Sequence, residues 1–106
     1  MVETVFRLMG AYVTRGEGYC GWMPNPSSHV LEVSRLCYEE LFGTKPVVRS
    51  IHAGLECGLF LEKFPYLDMI SFGPTLRGVH SPDEKIEIAS VDKFWRFLTD
   101  LLPKLA

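Results

Sequence analysis

The chain has 106 residues, a formal net charge of -2 and acidic and basic residues interspersed along its length. That length makes a single domain, 1–106, which would bury roughly 65% of its extended-chain surface on folding and leaves no room for a second core. The charge pattern excludes the basic footprint of a nucleic-acid or anionic-membrane binder, and apolar runs far shorter than the ~20 residues of a membrane span exclude a transmembrane protein.

Residues 2–9 read as a short helix running into the extended "AYVTR", and "GEGYCGWMPNPSS" (16–28) as a Gly/Pro/Asn-rich loop. From Ser28 as N-cap, the apolar positions Val30, Val33, Cys37, Tyr38 and Leu41 keep helical spacing until Gly43, which suits a C-cap. "PVVRSI" (46–51) is β-branched and reads as a strand, residues 54–63 as a helix, and 67–72 as a second strand after a break at Pro65. Together these make a β-α-β unit. Ser90 then caps a final helix in which Val91, Phe94, Trp95, Leu98, Leu101, Leu102 and Leu105 line one face, with Asp92 in the first turn suiting the dipole.

If the two strands are parallel neighbours with a right-handed crossover, their carboxyl ends emerge on one edge of the sheet, where ligands bind in open α/β folds. His52 leaves one of those ends, and His80 lies on the loop after the other, in "FGPTLRGVHSPDE" (72–84). Gly54 and Gly58 would let the backbone approach a ligand, and the N-terminus of the intervening helix offers free N–H groups to an anion.

Each of these groups also has a plainer reading. A histidine at a strand end is commonly hydrogen-bonded to a loop carbonyl, and His80 in an S-P-D-E turn reads equally as a solvated loop residue. His52 and Glu56 have HxxxE spacing, which is weaker than a two-histidine zinc helix because His52 precedes the helix. Cys57 is either a thiolate with His52 as its base or a small core residue; its neighbours Leu55, Leu59 and Phe60 favour the core. Glu39 and Glu40 are adjacent in mid-helix and point apart, His29 reads as surface, and "GWMPNP" reads either as a rigid peptide-contacting loop or, as such Pro/Gly stretches more commonly are, as a connector. Three cysteines without paired spacing argue against a disulfide framework; with no basic, apolar leader at the N-terminus, a soluble cytoplasmic protein is expected.

From about Tyr19 onward, "GWMPNPSSHVLEVSRLCYEELFG", "IHAGLECGLFLEKFP", "LDMISFGPTLRGVHSPDEKIEI" and "SVDKFWRFL" strongly resemble the C-terminal part of the aminoacyl-histidine dipeptidases. These dinuclear-zinc metallopeptidases are also called Xaa-His or cytosolic non-specific dipeptidases. One departure is Cys20, where the family is expected to carry proline. The resemblance implies an α/β fold: a partial three-layer α/β/α catalytic domain with a small, mostly parallel sheet and flanking helices, and residues 1–18 as a junction with missing sequence. It implies amide hydrolysis of dipeptides with zinc as the cofactor, His80 as the last metal ligand, and His52, Glu56 and Gly54 in the substrate pocket or in support of the ligands.

The same resemblance implies an HxD histidine, a bridging aspartate and a glutamate base in the N-terminal half. No HxD motif occurs in this sequence. The expectation is therefore a segment that supplies one metal ligand, carries no general base and is inactive alone, with the N-terminal half of a peptidase as its partner. A non-catalytic module that forms a homodimer or pairs with that half is the alternative, in keeping with an apolar fraction of 47%.

Overall fold

The computed structural model describes residues 1–16, 18, 20–51 and 56–106. Helix α1 spans Val2–Leu8 and α2 spans His29–Phe42. The predicted caps of α2 are both present: the Ser28 hydroxyl accepts the Leu31 N–H at 3.0 Å, and Gly43 takes φ 66° while its N–H bonds the Glu39 carbonyl at 2.8 Å. A left-handed residue at that place carries no Cβ penalty only as glycine.

A third group, distant in sequence, also serves the start of α2. The Asp68 carboxylate accepts the Val30 N–H at 3.0 Å, so the segment after Pro65 is tied to the positive end of the helix. The Ser28 hydroxyl, followed by the Val30 N–H, holds the Asp68 carboxyl below the usual carboxylate range. A depressed folded-state pKa stabilises the fold above about pH 4, the unfolded value, and that contribution is lost as the pH falls through the folded value. Asp68→Asn is expected to cost about 0.5–1 kcal/mol at pH 7, a small figure because the site is exposed and screened. In urea titrations the gap between variant and wild type should close below pH 4.

The core sits where α2 meets α4, Ile88–Lys104. Cys37, Phe97 and Leu101 are buried, with Val33, Tyr38, Leu41, Phe42, Ile70 and Leu105 packed around them. Phe97 stands edge-on to Tyr38 at 5.5 Å and to Phe72 at 4.9 Å. Lys93 covers the outer edge, donating to the Tyr38 hydroxyl at 2.6 Å and lying over the Tyr38 and Phe42 rings. The apolar stripe predicted for α4 therefore splits: Phe94, Leu98, Leu101 and Leu105 turn inward, whereas Trp95 (60% exposed) and Leu102 (57%) remain in solvent.

Helix α4 begins earlier than predicted. Its N-cap is Glu87, which leaves Asp92 outside the first turn. Ser90, expected as the cap, instead donates to the Glu87 carbonyl at 2.6 Å and accepts the Thr75 N–H at 2.8 Å.

The predicted parallel strands are not formed. Among the described residues, 46–51 and 67–72 carry no ladder, and the sheet is an antiparallel pair, β1 (Leu76–Arg77) with β2 (Lys85–Ile86), in register Leu76↔Ile86. Parallel strands pair slightly less well than antiparallel ones, and a two-stranded sheet is marginal in water, so β-branched runs without further neighbours stay unpaired. Both runs instead line a cleft of about 1120 Å³, which Leu31, Tyr38, Phe94 and Phe97 complete. Between them lies α3, Cys57–Lys63, matching the described part of the predicted helix and ending just before Pro65. Helix α1 buries none of its residues and is held by Glu3, which pairs with Arg7 at 2.9 Å and with Arg15. The radius of gyration is 18.3 Å, against about 13 Å for a compact chain of this size.

Candidate functional site

His80 sits at the tip of the hairpin between β1 and β2. The turn is built by hydrogen bonds within it: the Ser81 N–H and Oγ both bond the Gly78 carbonyl, at 3.1 and 2.7 Å, and the Glu84 N–H bonds the Ser81 carbonyl at 3.1 Å. Gly78 is required here, because its φ is 61° and an added Cβ would lie 3.2 Å from the Asp83 carbonyl oxygen. His80 has φ 65°, the one positive-φ non-glycine residue among those described. A left-handed conformation costs an L-residue about 1–2 kcal/mol, although histidine visits it more readily than most. Its N–H donates to Glu84 Oε2 at 2.8 Å, a charge-assisted bond that offsets this strain.

At the hairpin's base, the Glu87 N–H bonds the Thr75 carbonyl at 2.9 Å and Arg77 pairs with Glu87 at 3.3 Å. The loop bearing His80 is thus anchored to the start of α4. Residue 80 itself is exposed, and among the described residues its imidazole has no hydrogen-bond partner. A solvent-facing ring on a hydrogen-bonded turn fits a single metal ligand. It does not make a site alone: among the described residues, no three His, Cys, Asp or Glu side chains stand close enough together to hold a metal ion.

Of the other expected site residues, His52 and Gly54 lie outside the described residues, and with them the predicted approach of His52 to His80. Glu56 is exposed at the N-cap of α3; its carbonyl accepts the N–H groups of Leu59 and Phe60, and its carboxylate makes no capping bond. Neither Glu56 nor His80 lines the large cleft. The cleft walls combine apolar side chains with Arg35, Arg49 and Lys93 and with the runs 46–51 and 69–73. Glu84 escaped the sequence reading; the signal that could have found it is a carboxylate four residues beyond His80, across a Ser-Pro-Asp turn.

The cysteines divide by environment. Cys20 is exposed, Cys57 is half-buried at the start of α3, and Cys37 is buried with its Sγ–H donating to Asp100 Oδ2 at 3.1 Å. Burial, with the Asp100 carboxylate second, pushes the Cys37 thiol up to about 11. Lys104 completes the cluster, donating to Asp100 and to Glu40 at 2.8 Å each, so this ion-pair group joins α2 to α4. Thiolate is the reactive form, so iodoacetamide at pH 8 should label Cys20 first and reach Cys37 only on unfolding. Mass spectrometry of the alkylated chain checks this order.

Residues 10–104 match Peptidase family M20/M25/M40. The cytosol non-specific dipeptidase of Escherichia coli (strain K12) is 44% identical over 105 residues, covering 99% of this chain and 22% of that protein. The crystal structure of aminoacylhistidine dipeptidase from Vibrio alginolyticus superposes with a TM-score of 0.76 at 45% identity, covering 97% of this chain and 21% of that one. The chain thus spans about a fifth of the length of the relatives it matches.

Proposed function

Because this chain belongs to Peptidase family M20/M25/M40, we propose that it is a C-terminal segment of the catalytic domain of a metal-dependent dipeptidase, active on aminoacyl-histidine and other dipeptides only when joined to the remainder. The observation that carries this reading is the mismatch of coverage: nearly the whole chain aligns with about a fifth of each dipeptidase. An expanded shape and a small buried core among the described residues accord with packing neighbours that lie elsewhere. In the complete domain, 46–51 and 67–72 become adjacent parallel strands of a three-layer α/β/α sandwich. Residues 1–18 form its junction, and further chain fills the cleft.

Zinc held there would polarise the scissile carbonyl and make water nucleophilic near neutral pH. This chain's part is to present the His80 imidazole as one ligand from a rigid hairpin. The remaining ligands and the general base belong to the remainder, while Glu56, with His52 and Gly54, shapes the substrate pocket or supports the ligands. A cytoplasmic setting accords with the name of the E. coli relative, and among the described residues no helix is long and apolar enough to cross a membrane.

The exposed stripe of Ile88, Trp95 and Leu102 on α4 favours a second reading, in which a further copy of the chain covers the apolar surface. Light scattering tests it, since a monomer at high concentration contradicts the dimer, whereas a dimer is compatible with both readings. For the first reading, the chain is assayed with an aminoacyl-histidine dipeptide, alone and mixed with a separately produced N-terminal remainder of the E. coli relative. No turnover alone and chelator-sensitive turnover on mixing are expected. Chelator-sensitive turnover by the chain alone would overturn it.

A further inference from the structure

We infer that Glu84 is a positioning residue for His80. Its carboxylate accepts the His80 N–H at 2.8 Å, and that bond reaches the one described non-glycine residue with a positive φ. Backbone φ sets the direction in which the Cα–Cβ bond leaves the chain. A change from left-handed to extended backbone at this position would therefore swing the imidazole away from wherever the turn now delivers it. The other bonds of the turn hold its neighbours: Ser81 is tied to Gly78, Asp83 donates its N–H to the Ser81 hydroxyl at 3.3 Å, and Glu84 donates its own N–H to the Ser81 carbonyl.

Among the described residues, the Glu84 carboxylate is the one group bonded to the backbone of residue 80 itself. Glu84 is next to β2, whose Lys85 pairs with Arg77 across the ladder. The acceptor is therefore mounted on the paired base of the hairpin while the histidine occupies its tip. The geometry is a brace from the ladder to the tip, made through a side-chain acceptor oxygen. Its bearing on metal binding rests on the proposed reading of His80 as a ligand.

The test compares Glu84→Ala and Glu84→Gln, the second of which keeps a side-chain oxygen that can accept the bond. In the 106-residue chain, nuclear magnetic resonance reads the His80 amide exchange rate and the three-bond coupling that reports φ. Glu84→Ala should speed exchange at least about tenfold, the loss of one charge-assisted bond, and move the coupling to its extended value; Glu84→Gln should restore both toward wild type. Unchanged exchange and coupling in Glu84→Ala would overturn the brace outright.

A second readout is zinc affinity in the chain mixed with the N-terminal remainder, expected to fall about 10–100-fold in Glu84→Ala and to recover in Glu84→Gln. If removing the His80 imidazole lowers zinc affinity and Glu84→Ala does not, the positioning role is wrong and the ligand assignment stands. If removing the imidazole leaves zinc affinity unchanged, the ligand assignment falls, and the metal consequence of the brace with it. Where mixing yields no complex, exchange and coupling in the chain alone decide whether the brace exists.

Discussion

His80→Asn is expected to cost the reconstituted peptidase at least about a hundredfold in turnover, more than the loss of a supporting group around a metal ligand. Asparagine is the informative replacement. Like histidine it tolerates a left-handed backbone, so the turn from Gly78 to Glu84 keeps its conformation while the imidazole disappears. The helical circular dichroism of the variant should match wild type, because residue 80 is exposed and outside the α2–α4 core. Excess zinc should restore part of the lost turnover, since a site lacking one ligand still binds metal more weakly. Turnover within about threefold of wild type would contradict the assignment of His80 as a ligand.

Leu101→Ala should have the largest effect on stability. Leu101 is 2% exposed and lies in one cluster with Cys37 and Phe97, the two other buried apolar core residues among those described. Truncating a buried leucine costs about 2–5 kcal/mol, the transfer of the side chain plus the cavity left behind. A typical domain has about 5–15 kcal/mol in total. An expanded chain with so small a core stands at the low end of that range, so the variant should lose most of its cooperative unfolding transition in urea. Trp95→Ala is the matched control: its ring is 60% exposed, and a change within about 0.5 kcal/mol is expected for the chain alone. A loss below about 1 kcal/mol for Leu101→Ala would mean that the α2–α4 contact does not hold the fold together.

The elements legible in the sequence are those whose determinants are local. Helix α2 reads correctly at both ends because Ser28 and Gly43 act on backbone groups within four residues of themselves. The runs at 46–51 and 67–72 read as strands from β-branched composition, but a strand requires a partner and none is formed among the described residues. The start of α4 differs from the one expected for a related reason. Ser90 has the chemistry of a cap, yet its hydroxyl bonds the N–H of Thr75, fifteen residues away.

The apolar stripe read from the periodicity of α4 leaves out Phe97, which the fold buries in the α2–α4 core, and includes Trp95 and Leu102, which stay mostly exposed. At the site, the importance of His80 came from the resemblance of "GVHSPDE" to a family motif; its left-handed backbone and its bond to Glu84 came only from the fold. The bridge from Asp68 to the start of α2 spans thirty-eight residues and was equally invisible.

The most direct test of a segment that completes a divided metal site is elemental zinc analysis after dialysis of the chain, of the N-terminal remainder and of their mixture. No retained zinc is expected on the 106-residue chain, with incomplete loading of the remainder and full loading of the mixture, lost again with His80→Asn. Full zinc loading of the isolated chain, unaffected by that substitution, would contradict a divided site.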